Sequence, residues 1–164
     1  KIKVADNINV VLQQLTGEIV TLKREVNRLK LLEVPSVTIW TDWTPTVTQS
    51  GSVTITITFA RYIVIQNMVT LRARLTVTGT GTAGNAIVVG GIPAAIEPTS
   101  TVGIIGTMRV VDTGTSNYVG ALQLLTATTM SGIPHSTSGG IGVSPSFALA
   151  NTDIIDIVGT YERV

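Results

Sequence analysis

The sequence contains no cysteine and a single histidine, His135. No disulfide framework or thiolate nucleophile is therefore available. One imidazole with no thiolate beside it cannot complete a zinc site, so no metal is expected. Aromatic residues are few, two Trp, three Tyr and two Phe in 164 residues. Charge is also sparse: 13% of residues are charged and the net charge is +1. The basic residues are scattered, which leaves no electrostatic footprint for nucleic acid or for an acidic membrane. No stretch approaches the roughly 18 uninterrupted apolar residues of a membrane span, so no membrane insertion is expected. The glycine pattern "GTGTAGNAIVVGG" leads into β-branched strand formers, whereas a phosphate loop needs a helix N-terminus there. No cofactor is expected. The first residue is Lys1, with no basic-apolar-small leader after it, and the expectation is a fragment or processed product.

What the chain does have is apolar residues, 44% of the total, with a mean hydropathy of +0.43. Such a surplus calls for burial against another protein subunit. Its first part has a clear period. Ile8, Leu12, Leu15, Ile19, Leu22, Val26 and Leu29 are spaced four and three in alternation, the heptad of a coiled coil with Ala5, Leu12, Ile19 and Val26 at a and Ile8, Leu15, Leu22 and Leu29 at d. Glu18 and Glu25 fall at g and Lys23 and Lys30 at the following e, a pairing of opposite signs that favours parallel, in-register strands. Gly17 costs about 1 kcal/mol against alanine but sits at the outward f position. The competing reading is an ordinary amphipathic helix packed on its own domain. The a and d residues leave the number of strands open between two and three or four. Glu33 at the next a position and Pro35 beyond it end the seam. Residues 1–34 are thus a predicted stalk, 34–38 a hinge and 35–164 a head.

In the head the period changes to two. "SVTITITF" places Val53, Ile55, Ile57 and Phe59 on one face, and "MVTLRARLTVT" places Val69, Leu71, Ala73, Leu75 and Val77 opposite Thr70, Arg72, Arg74, Thr76 and Thr78. Gln66-Asn67 reads as a two-residue hairpin turn. Further strands are predicted at 85–90, 102–112, 116–126, 145–149 and 153–162, with loops at 79–84 and 132–144. The fold class is mostly β: an N-terminal helix followed by an antiparallel β-sandwich, jelly-roll-like head. "AIVVGGI", "GIIGTM", "ALQLL" and "DIIDIVG" are apolar on both faces, which predicts cover from a second subunit.

The runs "WTDWTPTVTQSGSV", "ARYIVIQNMVTLRARLTVTGTGTAGNAIVVGGIP", "VGIIGTMRVVDTGTSNYVGAL" and "FALANTDIIDIVGTYERV" resemble the C-terminal heads of tail-fibre and minor tail proteins of tailed bacteriophages. The resemblance rests on a tryptophan-bearing first strand, on the spacing Tyr-x-x-x-x-Asn-x-Val from Tyr62 to Val69, and on a glycine-alanine-glycine loop that leads to Ile92-Pro93. It covers about residues 38–164. It implies a homotrimer, a virion location, attachment to other virion proteins through the N-terminal side, and a head that meets a host-surface saccharide. It also tips the strand count of the stalk to three, and it carries across no ligand residue position by position. Related heads occur on capsid fibres and baseplates.

Candidate receptor-binding residues come from the loops and the aromatics. Asp112, Ser116, Asn117 and Tyr118 form a polar rim around "DTGTSN", His135 lies in the loop "SGIPHSTSGG", and Trp43 could present a face to a sugar ring or pack a junction between chains. Trp40 reads as a junction residue. No catalytic residue is expected. The head's acids are Asp42, Glu97, Asp112, Asp153, Asp156 and Glu162, with no sequence reason to choose a glycosidase pair among them, and no Gly-x-Ser-x-Gly pattern appears. Asp153 and Asp156 read as caps of the last strand. The alternatives are a purely structural capsid or baseplate fibre, a glycan-cleaving spike and a non-viral trimeric adhesin.

Overall fold

The structure is a computed structural model that describes residues 2–31, 39–101, 103–135 and 139–164. The chain divides into two compact units, Lys1–Val37 and Thr38–Val164.

The first unit is one helix, α1, Ile2–Leu31. Its apolar face is bare within the chain: Ile8, Leu12, Leu15, Ile19, Leu22 and Val26 are each 47–63% exposed. Val11, at a g position, is also exposed, so the N-terminal heptads carry apolar residues at a, d and g. Glu25 pairs within the helix, accepting from Arg28 at 2.7 Å. The side chains of Ala5, Leu29 and Lys30, and the expected hinge at 34–38, lie outside the described residues.

In the second unit every pairing between strands is antiparallel. Its strands are β1 (Thr41–Asp42), β2 (Thr46–Gln49), β3 (Gly51–Val53), β4 (Ile55–Ile65), β5 (Met68–Val77), β6 (Val88–Gly90), β7 (Ile104–Asp112), β8 (Ser116–Thr126), β9 (Thr129–Pro134) and β10 (Ile154–Glu162). They form one ten-stranded sheet in the order β1-β4-β5-β10-β7-β8-β9-β6-β2-β3. The two layers expected from sequence are therefore a single sheet that curls on itself. Its far edge, β3, runs through Thr54 directly into β4, the second strand of the order. The Thr54 carbonyl accepts from the amides of Thr78 and Gly79 at 2.8 and 3.1 Å. Inside the curl lie Leu71, Leu75, Met108, Leu122, Met130, Ile155 and Ile157, all essentially inaccessible.

The β4–β5 hairpin turns at Gln66-Asn67 as the spacing predicts, with Ile65 opposite Met68 and Gln66 at φ 57°. Positive φ at the first loop residue is what a primed hairpin turn demands. The alternation in β4 does not hold throughout. Ile57 faces Leu75 while Phe59 faces Arg74, so Thr58 is an extra residue, a β-bulge. Past it the faces exchange: Ala60, Tyr62 and Val64 turn to the core, and Phe59 lies on the opposite face from Val53 and Ile55, contrary to expectation.

Three other strand assignments change. Residues 145–149 form turn and coil with one isolated bridge, Ser146 to Gly142, while β9 occupies the start of the expected loop at 132–144. The strand expected at 85–90 is confined to Val88–Gly90. The 142–149 segment is held by a side chain in place of a ladder. Gln49, 1% exposed, donates to the carbonyls of Asn85 and Phe147 at 3.1 and 2.8 Å and accepts from the Leu149 amide at 2.8 Å. Gly81 makes room for it, since a Cβ there would lie 1.9 Å from the Gln49 Oε1.

Candidate functional site

The rim residues read from sequence gather at one hairpin. Asp112 and Ser116 are register partners across a three-residue turn in which Gly114 takes φ 83° and the Thr115 amide donates to the Asp112 carbonyl at 2.9 Å. Asp153 fixes this tip from outside. Its Oδ1 accepts from the Thr113 amide at 2.9 Å and its Oδ2 from the Ala150 amide at 2.8 Å. Asp153 thus caps the turn into β10, as expected. Ser116, Asn117 and Tyr118 belong to β8, the strand expected at 116–126. Asn117 is exposed, whereas the half-buried Tyr118 ring stacks on Phe147 with centroids 4.4 Å apart. His135 is exposed and lies one residue beyond Pro134, which pairs with Gly120. The register therefore places it at the same end of β8 as Asn117.

Trp43 is not part of this group. It is 7% exposed, donates its amide to the Ala60 carbonyl at 3.0 Å and sits beside β1, five strands from β8 in the sheet order.

A second group, which the sequence reading did not assemble, occupies the outer face of β4, β5, β10 and β7. One cross-strand row there runs Phe59, Arg74, Asp156, Arg109. Asp156 receives Nε of Arg74 at 2.6 Å and Nη2 at 3.1 Å, and both Nε and Nη2 of Arg109. Partial burial pushes the Asp156 carboxyl up, but the hydrogen bonds and charges of the two arginines outweigh it and hold the group below the ordinary carboxylate value. The next row runs Asp42, Arg61, Arg72, Val158. Here two guanidiniums oppose each other directly, an arrangement that costs stability unless compensated. Arg72 lies over the Trp40 ring at 4.6 Å and the Phe59 ring at 5.6 Å, and Arg61 lies 5.8 Å from the Phe59 centroid. Among the described residues, neither arginine is in an ion pair.

Beside this row is a cleft of about 330 Å³. It forms where the two-residue β1 leaves β4 next to the Thr58 bulge, and Asp42, Trp43, Thr58, Phe59 and Arg61 line it. Among the described residues three buried side-chain N–H groups have no hydrogen-bond partner, Trp43 Nε1, Arg61 Nε and Arg163 Nε. Trp43 pairs with Ala60 on the core side of the sheet, whereas Arg61 is on the outer face with Phe59 and Arg72, so these two unmet groups lie on opposite faces.

Alternation in "MVTLRARLTVT" does place Arg72 and Arg74 on the outward face. Nothing in the sequence marks the bulge that turns Phe59 toward them, nor the approach that brings Trp40 over Arg72. Among the described residues no group of acids and histidine is arranged to hold a metal ion, and no helix is long and apolar enough to cross a membrane. No protein family, no curated protein and no solved structure matches the chain.

Proposed function

We propose that the chain is the host-attachment head of a tailed-phage fibre. In this reading it is a homotrimer carried in the virion, with α1 as a parallel coiled-coil stalk, its N-terminal side joined to other virion proteins, and a β head that recognises a host-surface saccharide. The observation that carries the reading is the bare heptad face of α1. Six seam residues stand about half exposed over five turns of helix. Burying each contributes roughly 2 kcal/mol, and an unpartnered helix of this length is only marginally stable in water. Apolar residues at a, d and g widen the face toward the broad stripe of a bundle helix, which supports three strands over two. Ile104, Leu125 and Val158, 69%, 42% and 57% exposed, lie in three of the segments whose double apolarity called for cover. They suit heads gathered about one axis.

Attachment without cleavage is the activity proposed. Asp153 spends both carboxylate oxygens on backbone amides and Asp156 spends its own on two arginines. Neither is left to serve as a glycosidase acid or nucleophile.

Light scattering on the purified chain tests the assembly. A mass near three times 17.2 kDa is expected, and a monomer would remove the physical basis of the fibre reading.

A further inference from the structure

We infer that the outer face of β4, β5, β10, β7 and β8 is where one head packs on the head of a second copy. The inference rests on the assembly reading above and adds to it the surface by which the heads meet.

An antiparallel sheet with one wet side keeps that side polar, and this face does not. Ile65, Met68, Val119 and Val158 are each 48–57% exposed. The register puts them on one side. Asp156, Val158 and Glu162 share a face of β10 because side chains alternate along a strand. Val119 lies in the row of Asp156 through Arg109, and Met68 pairs with both Glu162 and Ile65. β10 has a hydrogen-bonded neighbour on each side, so Val158 stands within the face and not at its rim.

The polar residues of the face point to a protein partner. Residues 38–164 contain no lysine, and four of their five arginines, Arg61, Arg72, Arg74 and Arg109, lie here. Protein interfaces are enriched in arginine, methionine and aromatic residues and depleted in lysine. Met68, Phe59 and Trp40, whose ring lies over Arg72, complete that composition. Both signs of charge are also left unanswered. Among the described residues Arg61 and Arg72 have no ion-pair partner, and neither have the exposed Asp42 and Glu162 that border the face. A second copy brings carboxylates to such arginines, whereas valine and isoleucine side chains offer a saccharide no hydrogen bond.

Strand spacing and rise make the face roughly 20 Å on a side, of the order of half the roughly 800 Å² per partner in a standard interface. Such a contact is too small to hold heads together alone. It does not need to, because the bare seam of α1 would supply the copies at high effective concentration.

The chain has no cysteine, so Val158→Cys places a single thiol on the face at an exposed position. Ser52→Cys, exposed on β3 at the far edge of the sheet, is the control. Each is made full-length with the native stalk and with Leu22→Asp, its mass is measured by light scattering, and its reaction with N-ethylmaleimide is followed by mass spectrometry. Val158→Cys is expected to react at least about tenfold more slowly in the trimer than in the Leu22→Asp monomer, the protection given by a contact closed about nine-tenths of the time. Ser52→Cys is expected to react at the same rate in both.

Equal rates for Val158→Cys in a confirmed trimer and in the monomer would overturn the inference and leave the assembly reading standing. Equal protection of Ser52→Cys would also overturn it, because the shielding would then not belong to this face. A native-stalk chain that light scattering finds monomeric would overturn both readings, so the mass tells the two failures apart.

Discussion

Two polar residues show how single side chains decide this head, and neither is conspicuous in the sequence. Gln49 is one of several glutamines in a strand of threonines, yet it is sealed in and ties the strandless 142–149 segment to β2 through three hydrogen bonds. Gln49→Ala removes all three and strands buried backbone groups, so a loss of about 2–4 kcal/mol is expected. In thermal denaturation this should read as a fall in melting temperature of roughly 10 °C; an unchanged melt would mean that water replaces the amide at no cost. Asp156 is a pH-dependent tie. Its folded pKa lies below the ordinary value, so the stabilisation is fully present above the unfolded carboxylate pKa and is lost as pH falls through the lower, folded one. Asp156→Asn should cost about 1 kcal/mol at neutral pH, modest because the arginines are more than two-fifths exposed. Urea titrations should show the gap between variant and wild type closing as the solution is acidified below the ordinary carboxylate range. A gap that widens in acid would contradict the assignment of charge to this pair.

At the scale of elements, legibility follows how local the determining forces are. The helix, the β4–β5 hairpin with its Gln66-Asn67 turn, and the long strands β5, β7, β8 and β10 were readable because period and turn chemistry are properties of neighbouring residues. The elements that were missed depend on distant partners. In β9 the sequence "TMSGIP" contains a glycine and ends in proline, both poor strand formers. It is a strand because β8 and β6 flank it on either side, and Gly132 is required because a Cβ would meet Ile141 and Met108 within 3 Å. The 145–149 run looks like a strand and is none, because Gln49 and the core take up its backbone and apolar groups. The Thr58 bulge is likewise invisible to alternation, and with it half of the candidate cleft. The seam of α1 gives the prediction that belongs to this scale. Leu22 sits at d and is the most exposed of the described seam residues. Leu22→Asp should leave the head folded and dissociate the assembly, because a carboxylate in an apolar seam has no partner. A light-scattering mass that stays at the full oligomer would show that the heptad face is not what holds the copies together.

At the scale of the whole molecule, the proposed stalk, by gathering three heads, would change how attachment works. In that proposal each head would need to bind its surface sugar only weakly, because the second and third contacts would form at the high effective concentration set by the shared stalk. Two kinds of variant should therefore fail in different ways. Leu22→Asp should keep each head folded and lose the assembly, so its retention on bacterial cells that the wild-type chain labels should fall by about 10²-fold or more. Asn117→Ala combined with His135→Ala keeps the trimer mass, since both side chains are exposed and neither packs in the core. If the β7–β8 tip touches the receptor, this pair should weaken retention without monomerising the chain. Unchanged retention would place the receptor site elsewhere on the head. Retention of the monomer equal to that of the trimer would show that one head suffices, and the stalk would then serve architecture alone, with the clustering of heads contributing nothing to the grip.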